Sequence, residues 1–177
     1  MHEAAAVPPG SEGLLFLPTL SGERAPFPDP LARGCFVGLS LRHGQGHLVR
    51  AVIEGVTFSL RLILDIHRAL GVSPGTIRLG GGGARSELWR QMQADVYRCP
   101  VALTNTEEGP ALGAALLAGV AAGFYPSVQA ACDQTVRETL RLEPDPADRY
   151  APSLDAFRGL YPDLRERFRA IAKIPQA

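Results

Sequence analysis

Cysteine is scarce: three in 177 residues, Cys35, Cys99 and Cys132, with no C-x-x-C spacing among them. An odd, scattered set excludes a disulfide framework and fits a reduced, cytoplasmic setting. No secretory signal opens the chain. Histidine is sparse as well, and His2, His43, His47 and His67 do not join the cysteines in any metal-ligand spacing. His43 and His47 are four apart, but Gly44 and Gly46 spoil a helical pair, so no metal site is expected. His67 falls in a helical pattern as an ordinary structural residue.

An excess of charge is missing too. Lys plus Arg equals Asp plus Glu at 18 each, for a net charge of zero. That balance argues against nucleic acid or a membrane surface as partner, since either would call for a basic excess. Basic residues gather only near Arg165, Arg167, Arg169 and Lys173, where Asp163 and Glu166 interrupt them. One uncharged stretch, 109–128, approaches the length of a membrane span. Its Ala and Gly content makes it weakly hydrophobic, and Gly123 and Pro126 end the helical part early, so a closely packing helix is expected instead. Catalytic constellations are equally absent. There is no Ser-His-Asp order and no carboxylate pair suited to acid–base work. Asp29, Asp65 and Asp95 read as loop, helix surface and helix surface. The chain looks like half of an active site.

What is present is an ordinary globular composition, 46% hydrophobic and 20% charged, and a length that suits one domain over residues 1–177. Residues 1–10 read as a leader with a Pro-Pro turn. Short apolar runs at 13–18 and 35–40 predict strands around a loop at 21–34 that holds several prolines. Leu48 to Leu70 is the clearest helix. Arg50, Glu54, Thr57, Arg61, Asp65 and Arg68 form a polar stripe, with Leu48, Val52, Val56, Leu60, Ile63 and Leu70 around the other side. Glu54 and Arg50 are expected to be a surface i, i+4 pair. Strand 76–80, a glycine loop, helix 84–97, strand 100–104, helix 110–122 and a further helix near 127–138 follow. A last helical region, 151–173, has Pro162 inside it, which predicts a split or a new turn. Strands alternating with helices mean α/β architecture.

The glycine loop, "IRLGGGGARSELW" at 77–89, carries the chemistry. It joins a strand to a helix, where free N–H groups and a partial positive charge favour an anionic ligand. Four glycines, Gly80 to Gly83, let a ligand lie on the backbone, and a nucleotide is the natural occupant. A tight turn alone would need about one glycine. Neither G-x-G-x-x-G nor the P-loop ending G-K-[ST] is matched, which disfavours a dinucleotide-binding domain. A second feature, "GPALGAALLAGVAAG", sets Gly113, Ala114, Ala118 and Ala121 along a helix, as either a core helix or a surface for close backbone approach.

These residues resemble the FGGY family of carbohydrate kinases, and most closely its xylulokinase branch. "GLLFLPTLSGERAPFPDPLARG", with Gly-Glu-Arg-Ala-Pro at 22–26, is similar to a recurrent stretch of that branch. Gly34-x-Phe36-x-Gly38-Leu39, seven residues, His47-Leu48, two residues, then Ala51-Val52-Ile53-Glu54 fit the family's second signature. "GGGARSELWRQMQAD" resembles its adenosine motif, and "EEGPALGAALLAG" at 107–119 the helix that follows.

The resemblance implies the second domain of an actin-like ATPase (ribonuclease H-like) fold, incomplete at its N-terminal side. It implies ATP, with Mg²⁺ held mainly by parts absent from this chain. The adenosine nucleotide would lie on Gly81, Gly82, Gly83 and Ala84, with Glu87, one turn into the helix, reaching base or sugar. Gly113 to Ala118 would cross a counterpart helix at the hinge. The family's first domain, its general base, its sugar site and its phosphate loops have no counterpart here, so no catalytic residue is expected in this chain. Partners implied are that N-terminal kinase domain and, through bared apolar surface, a homo-oligomer. The reading is the nucleotide-binding part of a cytoplasmic xylulokinase, inactive alone. Two alternatives stay open: a kinase of another sugar such as gluconate, and a non-catalytic, kinase-derived binding module.

Overall fold

The computed structural model describes residues 1–106 and 109–174. Glu107 and Glu108, which open the second family-like helix stretch, lie outside the described residues. The chain forms two compact units. The first comprises Met1–Ser73, Asp95–Tyr97 and Asp145–Ala177, the second Pro74–Ala94 and Arg98–Pro144.

The first unit holds α1 (His2–Ala6), an antiparallel pair of short strands, β1 (Leu15–Leu17) and β2 (Cys35–Val37), and the 25-residue α2 (Gln45–Ala69). The 21-residue α6 (Ala151–Ile171) completes it. Its core gathers Leu14, Leu17, Phe58, Phe157 and Tyr150, all nearly inaccessible to solvent. Phe58 meets the Phe157 ring at 5.5 Å and the Tyr150 ring at 6.2 Å between centroids. Gly55 has no side chain because Phe16 approaches the backbone there, and a Cβ would overlap the Phe16 carbonyl. His47 accepts a hydrogen bond from the Gly44 N–H at 3.2 Å, which caps the start of α2 three residues earlier than expected.

The polar stripe of α2 corrects the expectation most sharply. Arg50 and Glu54 are 3% and 1% exposed, while Leu60 and Ile66 are open to solvent. The helix turns its charged side inward because the N-terminal segment covers it and supplies partners. Arg50 donates to the carbonyls of Ala4 and Val7 at 3.2 and 2.6 Å and to the Tyr150 hydroxyl at 2.7 Å. Glu54 accepts from the Gly10 N–H at 2.9 Å and the Ser11 hydroxyl at 3.1 Å. Residues 1–10, read as a leader, are therefore built into this unit, with Ala4 fully buried.

The loop 21–34 is anchored rather than loose. Phe27 stacks on Tyr161 with 3.9 Å between centroids, and the Tyr161 hydroxyl donates to Asp29 at 2.8 Å. Asp29 is thus buried, not an ordinary loop carboxylate. Hydrogen bonds from the Leu31 N–H and from Tyr161 hold its carboxyl below the usual aspartate value. Pro162 does not split α6, which runs through it. Packing of Phe157, Tyr161 and Phe168, all buried, outweighs the one lost backbone bond.

The second unit is a three-stranded sheet in the order β3 (Ile77–Leu79), β4 (Val101–Thr104), β5 (Glu138–Leu142). β3 and β4 are parallel, and the helix between them is α3 (Glu87–Tyr97), whose last turn belongs to the first unit. The β3–α3–β4 crossover is the α/β element expected from the alternation. β5 is antiparallel to β4 and was not expected, since its residues 138–141 are exposed and lack a buried alternation. It is an edge strand stabilised by ion pairs, with Arg141 Nε at 2.8 Å from Glu143. Helices α4 (Gly109–Ala121) and α5 (Val128–Thr135) complete the unit, α5 stopping short of the expected 138.

Candidate nucleotide site

The glycine loop leaves β3 at Leu79 and does not enter α3 directly. Gly81 takes φ +74°, a left-handed value that L side chains resist, and Gly82–Arg85 then form a 3-10 turn. Ser86 returns to extended backbone and caps α3, its hydroxyl accepting the Trp89 N–H at 3.3 Å. Glu87 is therefore the first residue of the helix, not a residue one turn in. Its side chain is 92% exposed and reaches Arg90 at 3.8 Å.

The four glycines have three different reasons. A Cβ on Gly83 would lie 2.6 Å from the Trp89 ring, so internal packing accounts for that residue. Backbone conformation accounts for Gly81. Gly80 and Gly82 have neither reason: φ is not left-handed, and nothing lies within 4 Å of a built Cβ. Their missing side chains leave open backbone facing solvent, which is what a ligand lying on the chain needs.

Beside this loop is a cleft of about 240 Å³. Leu79, Gly80, Gly81, Ala84, Arg85 and Arg90 line it from the loop and α3, and Leu103, Thr104, Thr106 and Thr139 from the sheet side. Of the residues named from sequence, Gly81 and Ala84 line the cleft; Gly82, Gly83 and Glu87 do not. Arg90 and the threonines were missed. The available signal was positional, since Thr104 ends the strand parallel to the one that opens the glycine loop, and strand C-termini are where α/β sheets bind ligands. None of the described lining residues is a carboxylate; these residues can bind and orient a ligand. Among the described residues no group of three or more His, Cys, Asp or Glu is placed to hold a metal ion. Nor is any helix long and apolar enough to cross a membrane.

The small-residue helix α4 exposes Gly113, Ala114, Ala118 and Ala121 and buries only Leu116. The Arg50–Glu54 pair, in the family-like signature, is a buried ion pair within the first unit.

Comparison with known proteins settles the family. A model of the C-terminal domain of FGGY-family carbohydrate kinases matches residues 1–122. This chain belongs to the FGGY family of carbohydrate kinases. Xylulose kinase of Escherichia coli is 45% identical over 163 residues, which cover 87% of this chain and 32% of that protein. The solved xylulose kinase of Rhodospirillum rubrum superposes with a TM-score of 0.81 at 36% identity, over 95% of this chain and 34% of the other. Gluconate kinase of Lactobacillus acidophilus superposes with a TM-score of 0.87 at 30% identity, over 96% and 35%. The chain thus spans about a third of the length of these FGGY kinases and shares that part of their actin-like fold.

Proposed function

We propose that this chain is the nucleotide-binding part of an ATP-dependent sugar kinase of the cytoplasm, acting on D-xylulose. The observation that carries it is the bare backbone at Gly80 and Gly82, beside a cleft whose described lining is apolar side chains, threonines and arginines. Such a site holds a nucleotide. The parent reaction would pass the γ-phosphoryl of ATP to a sugar hydroxyl, by positioning and charge stabilisation between closing domains. The adenosine end lies along Gly81 to Ala84, with Glu87 free in solvent at the edge of the loop. The Mg²⁺ that accompanies ATP is held mainly by parts outside this chain, and the N-terminal kinase domain is its partner. No catalytic residue is assigned here.

The similarity to gluconate kinase supports a second reading, phosphorylation of gluconate, because sugar choice resides outside the residues that this chain shares with both relatives. The experiment that tests the core of the proposal is titration of the 177-residue chain with ADP and ATP, followed by amide-resolved NMR. Shifts centred on residues 80–87 support it. A folded chain with no shifts there points to a non-catalytic, kinase-derived binding module instead.

A further inference from the structure

The geometry points to Arg90 as the positioning residue of the nucleotide cleft: it holds the 3-10 turn and forms a cationic wall against which the base lies. This rests on the adenosine reading above. Two consecutive residues of α3 grip the Gly82–Arg85 turn. Trp89 packs its ring beneath Gly83, where a Cβ would clash, and Arg90 donates from Nη1 to the Ala84 carbonyl at 3.0 Å. The Arg90 side chain is only 14% exposed although it lines the cleft. Among the described residues its carboxylate neighbour is Glu87, which stands 3.8 Å from Nη2 and is itself in water. Nε is buried without a hydrogen-bond partner. A guanidinium has five N–H donors, and a buried donor left unpaired is costly. Arg90 thus carries more donor capacity than the fold uses, beside the bare glycine backbone.

The cleft's size and lining choose the base over the phosphates. At about 240 Å³ it falls below the roughly 300–1,000 Å³ of sites that enclose a whole drug-sized ligand. It therefore takes one part of a nucleotide. Leu79, Ala84 and Leu103 offer apolar surface suited to the faces of a heteroaromatic ring and poorly suited to a polyphosphate. Thr104, Thr106 and Thr139 bring hydroxyls, which donate and accept, and Arg90 brings donors only, a combination that suits ring nitrogens and an exocyclic amine.

The test uses the arginine Nε–Hε NMR signals of the 177-residue chain, titrated with ADP, adenosine and pyrophosphate. The Arg90 signal is expected to move with ADP and with adenosine, and to stay with pyrophosphate. Arg90→Met keeps the apolar stem and removes the donors. It should weaken ADP binding about 10- to 100-fold, the worth of a charge-assisted hydrogen bond, with amide signals beyond residues 80–90 unchanged. Arg90→Lys restores one donor to the Ala84 carbonyl and should recover part of the loss, which a purely packing role would not give. Wild-type affinity in Arg90→Met, or an Arg90 signal that follows pyrophosphate and ignores adenosine, overturns the proposal alone. Should Arg90→Met fail to fold, the wild-type Nε–Hε titration still decides. A wild-type chain that binds no ADP overturns both this proposal and the adenosine reading beneath it.

Discussion

Arg50 donates through Nε to Glu54 at 2.8 Å, one helical turn away, and both side chains are shut off from water. Burial pushes the Glu54 carboxyl above the usual glutamate value, against the opposing pull of Arg50 and of the Gly10 N–H. Ser11, Tyr150 and two carbonyls of the N-terminal segment are committed to the same knot. Removing one partner leaves an uncompensated buried charge. Arg50→Ala and Glu54→Ala should each cost about 3–5 kcal/mol in urea denaturation. Arg50→Met combined with Glu54→Leu should cost clearly less than the sum, because no lone charge remains. A strictly additive double variant would show that the pair is not the unit that matters.

Asp65 offers a contrast at the far end of the same helix. Burial pushes its carboxyl up, but hydrogen bonds and charge from Arg61 and Arg158 outweigh that and hold it below the usual 3.8. Arg61 also donates to the Val96 carbonyl, and Arg68 to that of Tyr97 at 2.6 Å, so the cluster ties the end of α3 to α2. A carboxyl lowered on folding contributes stability above its unfolded value, and that stability fades as pH falls through the folded value. Asp65→Asn should therefore cost about 1 kcal/mol at neutral pH. Its deficit relative to wild type should close as pH drops below 3.8. Melts of both proteins from pH 6 to pH 2 check this. A gap that stays constant, or widens in acid, has the wrong sign.

How much of this was legible in the sequence varied with the physics of each element. β1, β2, α2 and the β3–α3–β4 crossover follow from apolar runs, glycine and proline punctuation and helical periodicity, which are local. The stripe of Arg50 and Glu54 misled because periodicity reports that a helix has two sides, not which one a distant segment will cover. Residues 1–13 decide that, and they are more than thirty positions away in sequence. β5 escaped because an exposed edge strand needs no alternation of its own; β4 supplies its register. At the candidate site, the glycines were visible as a composition anomaly. Arg90 and the threonines were not, because their relation to the loop exists only once β3, β4 and β5 lie side by side.

The glycine loop yields a prediction that separates packing from binding. Gly83→Ala drives a methyl into the Trp89 ring and should cost about 1–3 kcal/mol of stability. Gly82→Ala meets open space, at a φ that is not left-handed, and should leave stability within about 0.5 kcal/mol. If the nucleotide lies on that backbone, the same methyl should still weaken ADP binding about tenfold or more. Thermal melts and ADP titration on both variants read the two effects independently. A Gly82→Ala chain with unchanged affinity would move the ligand off the loop.

The apolar surface of the second unit bears on self-association. Leu117 on α4 is 59% exposed and Phe124, just beyond its end, is 81% exposed, with Val128 at 45% near the start of α5. These are three large apolar side chains within twelve positions, and the other exposed residues of α4 are Gly, Ala and Pro110, which do nothing to hold water near them. Clustered exposure of this kind marks a surface meant to be covered. The chain alone should therefore associate with concentration, by contact of one copy with another. Leu117→Ser with Phe124→Ser should shift the midpoint of association in sedimentation equilibrium by about tenfold or more, since each buried side chain of this size is worth about 1.5–3 kcal/mol. Stability should change little, because neither side chain is part of the core. A wild-type chain that stays monomeric at high concentration, or a double variant that associates as strongly, would mean that this face is tolerated in water and that the partner surface lies elsewhere.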